Sequence, residues 1–456
     1  MTIDVERVRN QERPRYLAIA DAIAEDIDAG RLEPSARLPA QRDLAYRLGV
    51  TVGTVSRAYQ VLARRRLVSG QVGRGTFVLP RGRAAAPQTE PGAGIELTKN
   101  VPPILPPPET IRDSFAALAE EAASQSHFDY APTAGAEPHR KVAAAWLRRV
   151  GLVAPADAVI VFGGAQQALA AACIGLGGGG VMVERLTYPG LLSVSAALGT
   201  RLHAVELDAD GLSAEDLDRA ARETAARLVV LVPTLQNPTN TVMSLRRREA
   251  IVAVARRHDL TLVEDDVYGF VIAERPPPIA RLAPERTIYI TGASKFLAPG
   301  LRLAWAVAPP HCRPPLLQAL YAMSICRPPL TAELGRHWIE SGAAERMRLE
   351  QRRETAARQT LAAEILAGHE ISGHPASYHI FLRLPEGWLP EAFAAAARER
   401  GIGVVPAQAF NAGSTAAPRA VRVSLSQAPD RASLARALEI LRDLVGDAPR
   451  QAHGVI

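Results

Sequence analysis

Thr291-Gly292-Ala293-Ser294-Lys295-Phe296-Leu297-Ala298-Pro299-Gly300-Leu301-Arg302 sets an amine beside a small hydroxyl residue, with an arginine seven positions on across a Pro-Gly turn. Lys295 is one of three lysines in a chain with fifty arginines. Lysine forms imines with carbonyl compounds and arginine does not, while a guanidinium fork fits phosphate bidentately. A cofactor with one aldehyde and one phosphate, pyridoxal phosphate, matches that pair. The competing reading is a solvated lysine at the end of a strand.

The surrounding sequence weighs against that alternative. From Asp157 the chain alternates helical segments with short apolar runs at 159–162, 181–184, 202–205, 228–232, 261–264, 287–290 and 303–307. Strands alternating with helices imply an α/β domain around a mainly parallel sheet, whose ligands sit at the carboxyl ends of the strands. Polar candidates fall at those ends. Gly163-Gly164-Ala165-Gln166 opens a helix, and its free amides suit a phosphate. Thr187-Tyr188-Pro189-Gly190 offers an aromatic ring for stacking, and Asn237-Pro238-Thr239 an amide for a phenolate oxygen. In Glu264-Asp265-Asp266-Val267-Tyr268, Asp265 can keep a pyridine nitrogen protonated and Tyr268 can bond the neighbouring oxygen. Each alone reads as a turn or a cap; five in order read as one site.

This order resembles the fold-type I pyridoxal-phosphate enzymes of the aspartate aminotransferase class, over residues 95 to about 445. The resemblance implies that Lys295 forms the Schiff base, and that Ala165, Gln166, Ser294 and Arg302 bind the phosphate. It implies stacking by Tyr188, ring-oxygen contacts from Asn237 and Tyr268, and a ring-nitrogen partner in Asp265. Arg422, within Ala420-Val421-Arg422-Val423-Ser424, matches the arginine that grips a ligand carboxylate, with a surface β-strand arginine as the alternative. Tyr130-Ala131-Pro132-Thr133-Ala134-Gly135 resembles a loop that crosses to a partner subunit. Three departures stand out. Gly292 replaces a usual Ser or Thr, Asn240 replaces the glycine that usually closes the Asn-Pro-Thr motif, and glycines 177–180 replace a Gly-Asp turn. No Lys-Ser/Thr follows those four glycines, so they read as a loop and not a P-loop.

The first eighty residues are chemically different. Residues 1–83 carry 15 arginines against 9 acidic residues, whereas the rest of the chain is balanced at 38 of each sign. A basic excess confined to one segment points to a polyanion. Apolar spacing predicts helices over 14–30, 40–48 and 52–66, the last capped by Thr51 after the Gly49 break, which is a helix-turn-helix. Short strands at 67–69 and 76–78 around a basic glycine tip add a wing. Leu38-Pro39-Ala40-Gln41-Arg42-Asp43-Leu44-Ala45, Thr54-Val55-Ser56-Arg57-Ala58-Tyr59 and Gly73-Arg74-Gly75-Thr76-Phe77-Val78 resemble the GntR family of winged-helix regulators. By that resemblance Arg42, Thr51, Thr54 and Arg57 face DNA, with Gly75 and Thr76 at the wing. Hydroxyls at a helix start suit phosphate, and an arginine can read a guanine edge. Val52 and Gly53 stand where the family often has polar residues.

At 456 residues with 48% apolar content the chain is long enough for two or three domains. The predicted division is a winged helix at 12–80, a linker at 81–94 and a cofactor domain at 95–446, whose smaller C-terminal α+β part begins near 315. Three cysteines without CxxC spacing argue against a disulfide framework or a zinc site. No secretory start or membrane-length apolar run is visible, so a soluble cytoplasmic protein is expected. The combination resembles the MocR subgroup, which implies a head-to-tail homodimer, promoter DNA as partner, and an amino compound or pyridoxal phosphate as effector. A catalytically active aminotransferase with an accessory DNA-binding head is the alternative.

Overall fold

The computed structural model describes residues 14–28, 31–32, 36–64, 67–71, 75–78, 94–121, 128–324 and 329–447. Most of the expected linker, the wing tip at 72–74, and Arg65 and Arg66 lie outside them. The chain divides into two compact units, Met1–Glu90 and Pro91–Ile456.

In the first unit α1 (Arg15–Asp28) buries Ile19, Ala20, Ile23 and Ile27, the one-face spacing of an amphipathic helix. Helix α2 (Gln41–Leu48) buries Leu44, Ala45 and Leu48 and stops at Gly49, whose φ of 62° is left-handed. Glycine takes that conformation without steric cost. Helix α3 (Val52–Arg64) turns Val55, Ala58, Tyr59 and Leu62 onto the same core. Strands β1 (Val68–Gln71) and β2 (Gly75–Val78) pair antiparallel as the wing, and Arg37 bridges to Phe77 on the other side of β2.

The second unit opens with β3 (Ile95–Glu96) and the helices α4 (Pro108–Glu120) and α5 (Glu137–Leu147). A seven-stranded sheet follows, formed by β4 (Val159–Phe162), β5 (Val181–Glu184), β6 (Leu202–Val205), β7 (Leu228–Leu231), β8 (Thr261–Asp265), β9 (Thr287–Gly292) and β10 (Ala304–Val307). Its spatial order is β4-β10-β9-β8-β7-β5-β6, parallel except on either side of β10. Runs such as Val159–Phe162 and Leu228–Leu231 are buried at every position, as strands covered on both faces must be. Helix α6 (Ala165–Leu176) covers one face and α7 (Pro189–Leu198) follows β5.

The C-terminal part differs from expectation in where it starts. Helix α8 (Arg313–Met323) places Leu316, Ala319 and Leu320 against Ile160, Leu169 and Cys173, and α9 (Pro329–Glu340) sets Trp338 in the cluster of Trp146 and Trp305. Both helices belong to the large core because their apolar faces fill it. The smaller core begins within α10 (Ala343–Ile365) at Ala362 and takes in Leu97 from the start of the unit. Its antiparallel sheet orders β11 (Ile371–Ser372), β12 (His379–Arg383), β15 (Ala420–Ser424) and β14 (Val405–Pro406), while β13 (Ile402–Gly403) pairs in parallel with β3. Among the described residues no helix is long and apolar enough to cross a membrane, and no acidic, histidine or cysteine cluster could hold a metal ion.

Candidate functional site

The candidate phosphate cradle lies where β4 turns into α6. Gly164 precedes the helix at φ 117°, and a Cβ there would collide with the guanidinium of Arg302. Arg302 itself stands at φ 48°, a conformation costly for a side-chain-bearing residue and held where it brings the cation to the helix start. Ala165 and Gln166 lie in the first turn, where amides have no helical carbonyl to bond. Ser294 and Lys295 occupy a single 3₁₀ turn directly after β9. At Gly292 a Cβ would approach Leu303 O to 3.0 Å and the Ala304 Cβ to 3.1 Å, so close packing of β9 on β10 accounts for the missing hydroxyl residue.

Asp265 ends β8 with its carboxyl buried, and Oδ1 has no hydrogen-bond partner. Burial, then the neighbouring charge of Asp266, pushes it up to about 7. An orphaned buried acceptor normally costs free energy, and a protonated ring nitrogen would satisfy it. Asp266 is by contrast fully engaged: Arg275 donates to its Oδ1 at 2.6 Å and the Tyr289 hydroxyl to its Oδ2. One carboxylate of the pair anchors the strand end, and the other keeps an unpaired oxygen within electrostatic reach of Lys295.

Lys295 donates from Nζ to the carbonyl of Asn100 at 2.6 Å, with its ammonium 5.8 Å from the centre of the Tyr268 ring. Burial and the cations Arg422 and Arg302, opposed by Asp265, bring its amine down to about 8, toward a neutral nucleophile. Tyr188 reaches Gln166 Oε1 at 3.3 Å. Arg422 is buried, donates from Nη1 to Asn237 Oδ1 at 3.0 Å and from Nη2 to the Thr98 carbonyl, and leaves Nε without a partner. Its guanidinium lies 4.9 Å over the Phe410 ring. It is therefore not a surface strand arginine. The Asn237 oxygen is committed to Arg422, which leaves its Nδ2 for another acceptor.

Sequence reasoning missed Asn100 and His379. Asn100 Nδ2 donates to the Tyr268 hydroxyl at 2.8 Å and lies 2.9 Å from His379 Nδ1. Nothing local marks either residue, because they lie 279 positions apart. Asn240 explains its own departure: it is left-handed at φ 67°, as glycine would be, and Nδ2 reaches Ser372 O at 2.8 Å and His379 O at 3.2 Å. Asparagine tolerates that conformation better than most residues.

In the first unit Arg42 is exposed on α2 and Thr51 Oγ1 accepts from Thr54 N at 3.2 Å, with the two hydroxyls 2.9 Å apart. Exposed Arg57 sets its guanidinium 5.3 Å over the Tyr16 ring. A Cβ at Gly75, which has φ 118°, would stand 2.8 Å from Arg37 Nε, so Arg37 adds an unforeseen cation beside the wing and Thr76.

Residues 93–441 match the family model for aminotransferase class I and II, and residues 15–78 match that for bacterial regulatory proteins of the gntR family. The uncharacterized HTH-type transcriptional regulator YdeF of Bacillus subtilis is 31% identical over 96% of this chain and 95% of its own. This chain belongs to the MocR-type regulators. The regulator's second unit is also similar to enzymes. The 2-aminoadipate transaminase of Thermus thermophilus is 27% identical over 68% of this chain and 79% of its own. Among solved structures, the kynurenine aminotransferase of Pyrococcus horikoshii in complex with PMP is 26% identical, with a TM-score of 0.71, over 78% of this chain and 91% of its own.

Proposed function

We propose that the chain is a pyridoxal-phosphate-dependent transcriptional regulator, which binds promoter DNA through its winged helix and senses an amino compound or the cofactor itself. The observation that carries this reading is a pair of buried orphans, Asp265 Oδ1 and Arg422 Nε, in a chain that also has a GntR head. The first fits a pyridinium nitrogen and the second a ligand carboxylate.

When bound, pyridoxal phosphate supplies an aldehyde that can exchange between the Lys295 amine and the amine of a ligand. The remaining work falls to the chain. Arg302, Ser294 and the amides of Ala165 and Gln166 would hold the phosphate, and Tyr188 would stack on the ring. Asp265 would keep a proton on the ring nitrogen, while Asn237 and Tyr268 would bond the ring oxygen. Arg422 would take the carboxylate. Because it already bonds the Thr98 carbonyl, a ligand there competes with the segment that follows β3. A ligand shifts a regulator only by its differential affinity for two states, and that competition supplies one.

A head-to-tail homodimer in the cytoplasm completes the reading. Phe128 and Tyr130 support it: both are almost fully solvent-facing in the single chain, at 78% and 77%, beside the segment 130–135 that resembles a partner-crossing loop. The deciding experiment adds amino acids to the protein carrying pyridoxal phosphate and follows its visible spectrum and any keto acid. A stoichiometric spectral change with altered operator binding supports the sensor. Multiple turnovers without an effect on DNA binding would establish an aminotransferase instead.

A further inference from the structure

Asn100 touches the two groups that must act together on a carbonyl cofactor. Its main-chain carbonyl takes the Lys295 amine at 2.6 Å, and its side-chain Nδ2 serves Tyr268 and His379 at 2.8 and 2.9 Å, while Oδ1 has no partner. An amide nitrogen has hydrogens to give and accepts nothing, so both Nδ2 contacts are donations. The imidazole is thereby defined. Nδ1 of His379 accepts, and Nε2 holds the proton it gives to Pro238 O at 3.1 Å. The ring stays neutral, since burial, Arg422 and Lys295 all disfavour its charged form. The Tyr268 oxygen already accepts from Asn100, which frees its own proton to be donated into the pocket.

All three side chains are buried, and they come from three parts of the second unit. His379 opens β12 of the C-terminal sheet, whereas Pro238 and Tyr268 follow strands of the large sheet. Asn100 ends an extended run fixed by Leu97 N to Gly403 O at 2.9 Å, Thr98 N to Gln427 Oε1 at 2.9 Å and Ser424 Oγ to Lys99 O at 2.7 Å. We propose that the Asn100 side chain, oriented by His379, is a positioning group that aims the Tyr268 hydroxyl into the pocket, beside the Lys295 amine held by the main-chain carbonyl of the same residue, and ties the C-terminal sheet to the ring-binding loops. This rests on the pocket being a pyridoxal-phosphate site.

The other charged or titratable groups facing this cluster are Asp265, Arg422, Arg302, Tyr188 and Tyr378, whose ring meets that of Tyr268 edge-on at 5.9 Å. They stay in place when the Asn100 side chain is cut back. Hydrogen-bonded groups polarise one another, so Asn100→Ala weakens Tyr268 as a donor to the ring oxygen. The pH midpoint of the bound cofactor's visible spectrum should then rise by roughly half a unit. Asn100→Asp should raise it further, because a carboxylate would draw the Tyr268 proton to itself.

The network is tested separately in protein free of cofactor, by nitrogen NMR with labelled histidine. His379 Nδ1 should move toward the position of an unbonded imidazole nitrogen in Asn100→Ala. An unmoved His379 signal overturns the proposal. A moved signal in coloured protein whose midpoint is unchanged overturns the positioning role alone. A moved signal in protein that stays colourless with pyridoxal phosphate overturns the cofactor reading together with that role. A change confined to thermal stability, with signal and midpoint both fixed, would mark Asn100 as merely structural.

Discussion

The pocket and the DNA-binding face handle their charges in opposite ways. In the pocket Arg422, Asp265 and Lys295 are held by burial and by one another, and Asp265 Oδ1, Arg422 Nε and Asn100 Oδ1 wait without partners. On the head Arg42 and Arg57 are exposed, the latter with its guanidinium over the Tyr16 ring. Preorganised buried groups gain much from a matching ligand and lose nearly everything when one member is removed. Exposed cations gain a little each and add up, in a manner that salt erodes. The same chain thus carries one site with all-or-none behaviour and one with graded behaviour.

The largest effect expected is at Lys295. Lys295→Ala should abolish borohydride fixation of pyridoxal phosphate completely, while far-ultraviolet circular dichroism stays unchanged. Label recovered on Lys99 or Lys141 in the parent protein would remove Lys295 from its role. Next comes Asp265→Ala, which deletes the buried carboxyl proposed to face the ring nitrogen and should weaken cofactor affinity by roughly 2–5 kcal/mol. Asp266→Ala would lower stability instead, since its partners Arg275 and Tyr289 would be stranded.

The third effect is a pH dependence. With its amine brought down to about 8, Lys295 is neutral above that pH and protonated below it. Capture of added pyridoxal phosphate by cofactor-free protein should therefore quicken about tenfold per pH unit up to 8 and then level off. An ordinary lysine would go on accelerating to about 10.4. A rate still rising at pH 9.5 would mean that burial and the flanking arginines do not depress this amine.

Legibility in the sequence follows the same divide between local and distant contacts. The strand ends were readable because each places its candidate polar residue within a few residues of an apolar run, as at Glu264–Tyr268 and Thr291–Lys295. The left-handed Asn240 looked like a departure and is a conservative solution, visible only through its φ of 67°. Asn100 and His379 were silent, because hydrogen bonds across 279 positions leave no spacing to detect. The smaller part was expected to begin near 315, whereas α8 and α9 fill the large core, because the sequence does not tell against what a segment's apolar face is buried. The head was read nearly element by element, as its core is made of short-range helix contacts. Arg37 was missed there, since only the pairing of residues 36–38 with β2 brings it to Gly75.

Graded behaviour on the head is tested by Arg42→Ala in the full chain, which should cost about 1–3 kcal/mol of operator affinity if it reads a base edge. The loss should carry relaxed sequence preference. In the parent protein, affinity should fall with salt at a log–log slope of roughly −0.9 per neutralised phosphate. A salt-independent affinity would contradict the exposed-cation picture outright.

The smallest effect sharpens the contrast most, because Thr51 and Thr54 of the predicted DNA face are already hydrogen-bonded to each other. Thr51 Oγ1 accepts from Thr54 N at 3.2 Å and meets Thr54 Oγ1 at 2.9 Å, so the hydroxyl caps α3 before any DNA arrives. Replacing a capping threonine by alanine costs typically about 1 kcal/mol, and serine keeps the oxygen. Thr51→Ala should therefore speed amide hydrogen exchange at the start of α3 several-fold, and Thr51→Ser should restore the parent rate. Operator affinity should fall in the alanine variant and recover with serine in the same order. If both variants exchange alike yet only alanine loses affinity, the hydroxyl serves phosphate alone. If both exchange and affinity follow the oxygen, one atom holds the helix in place and meets the DNA backbone, and the head owes part of its grip to the same preorganisation that rules the pocket.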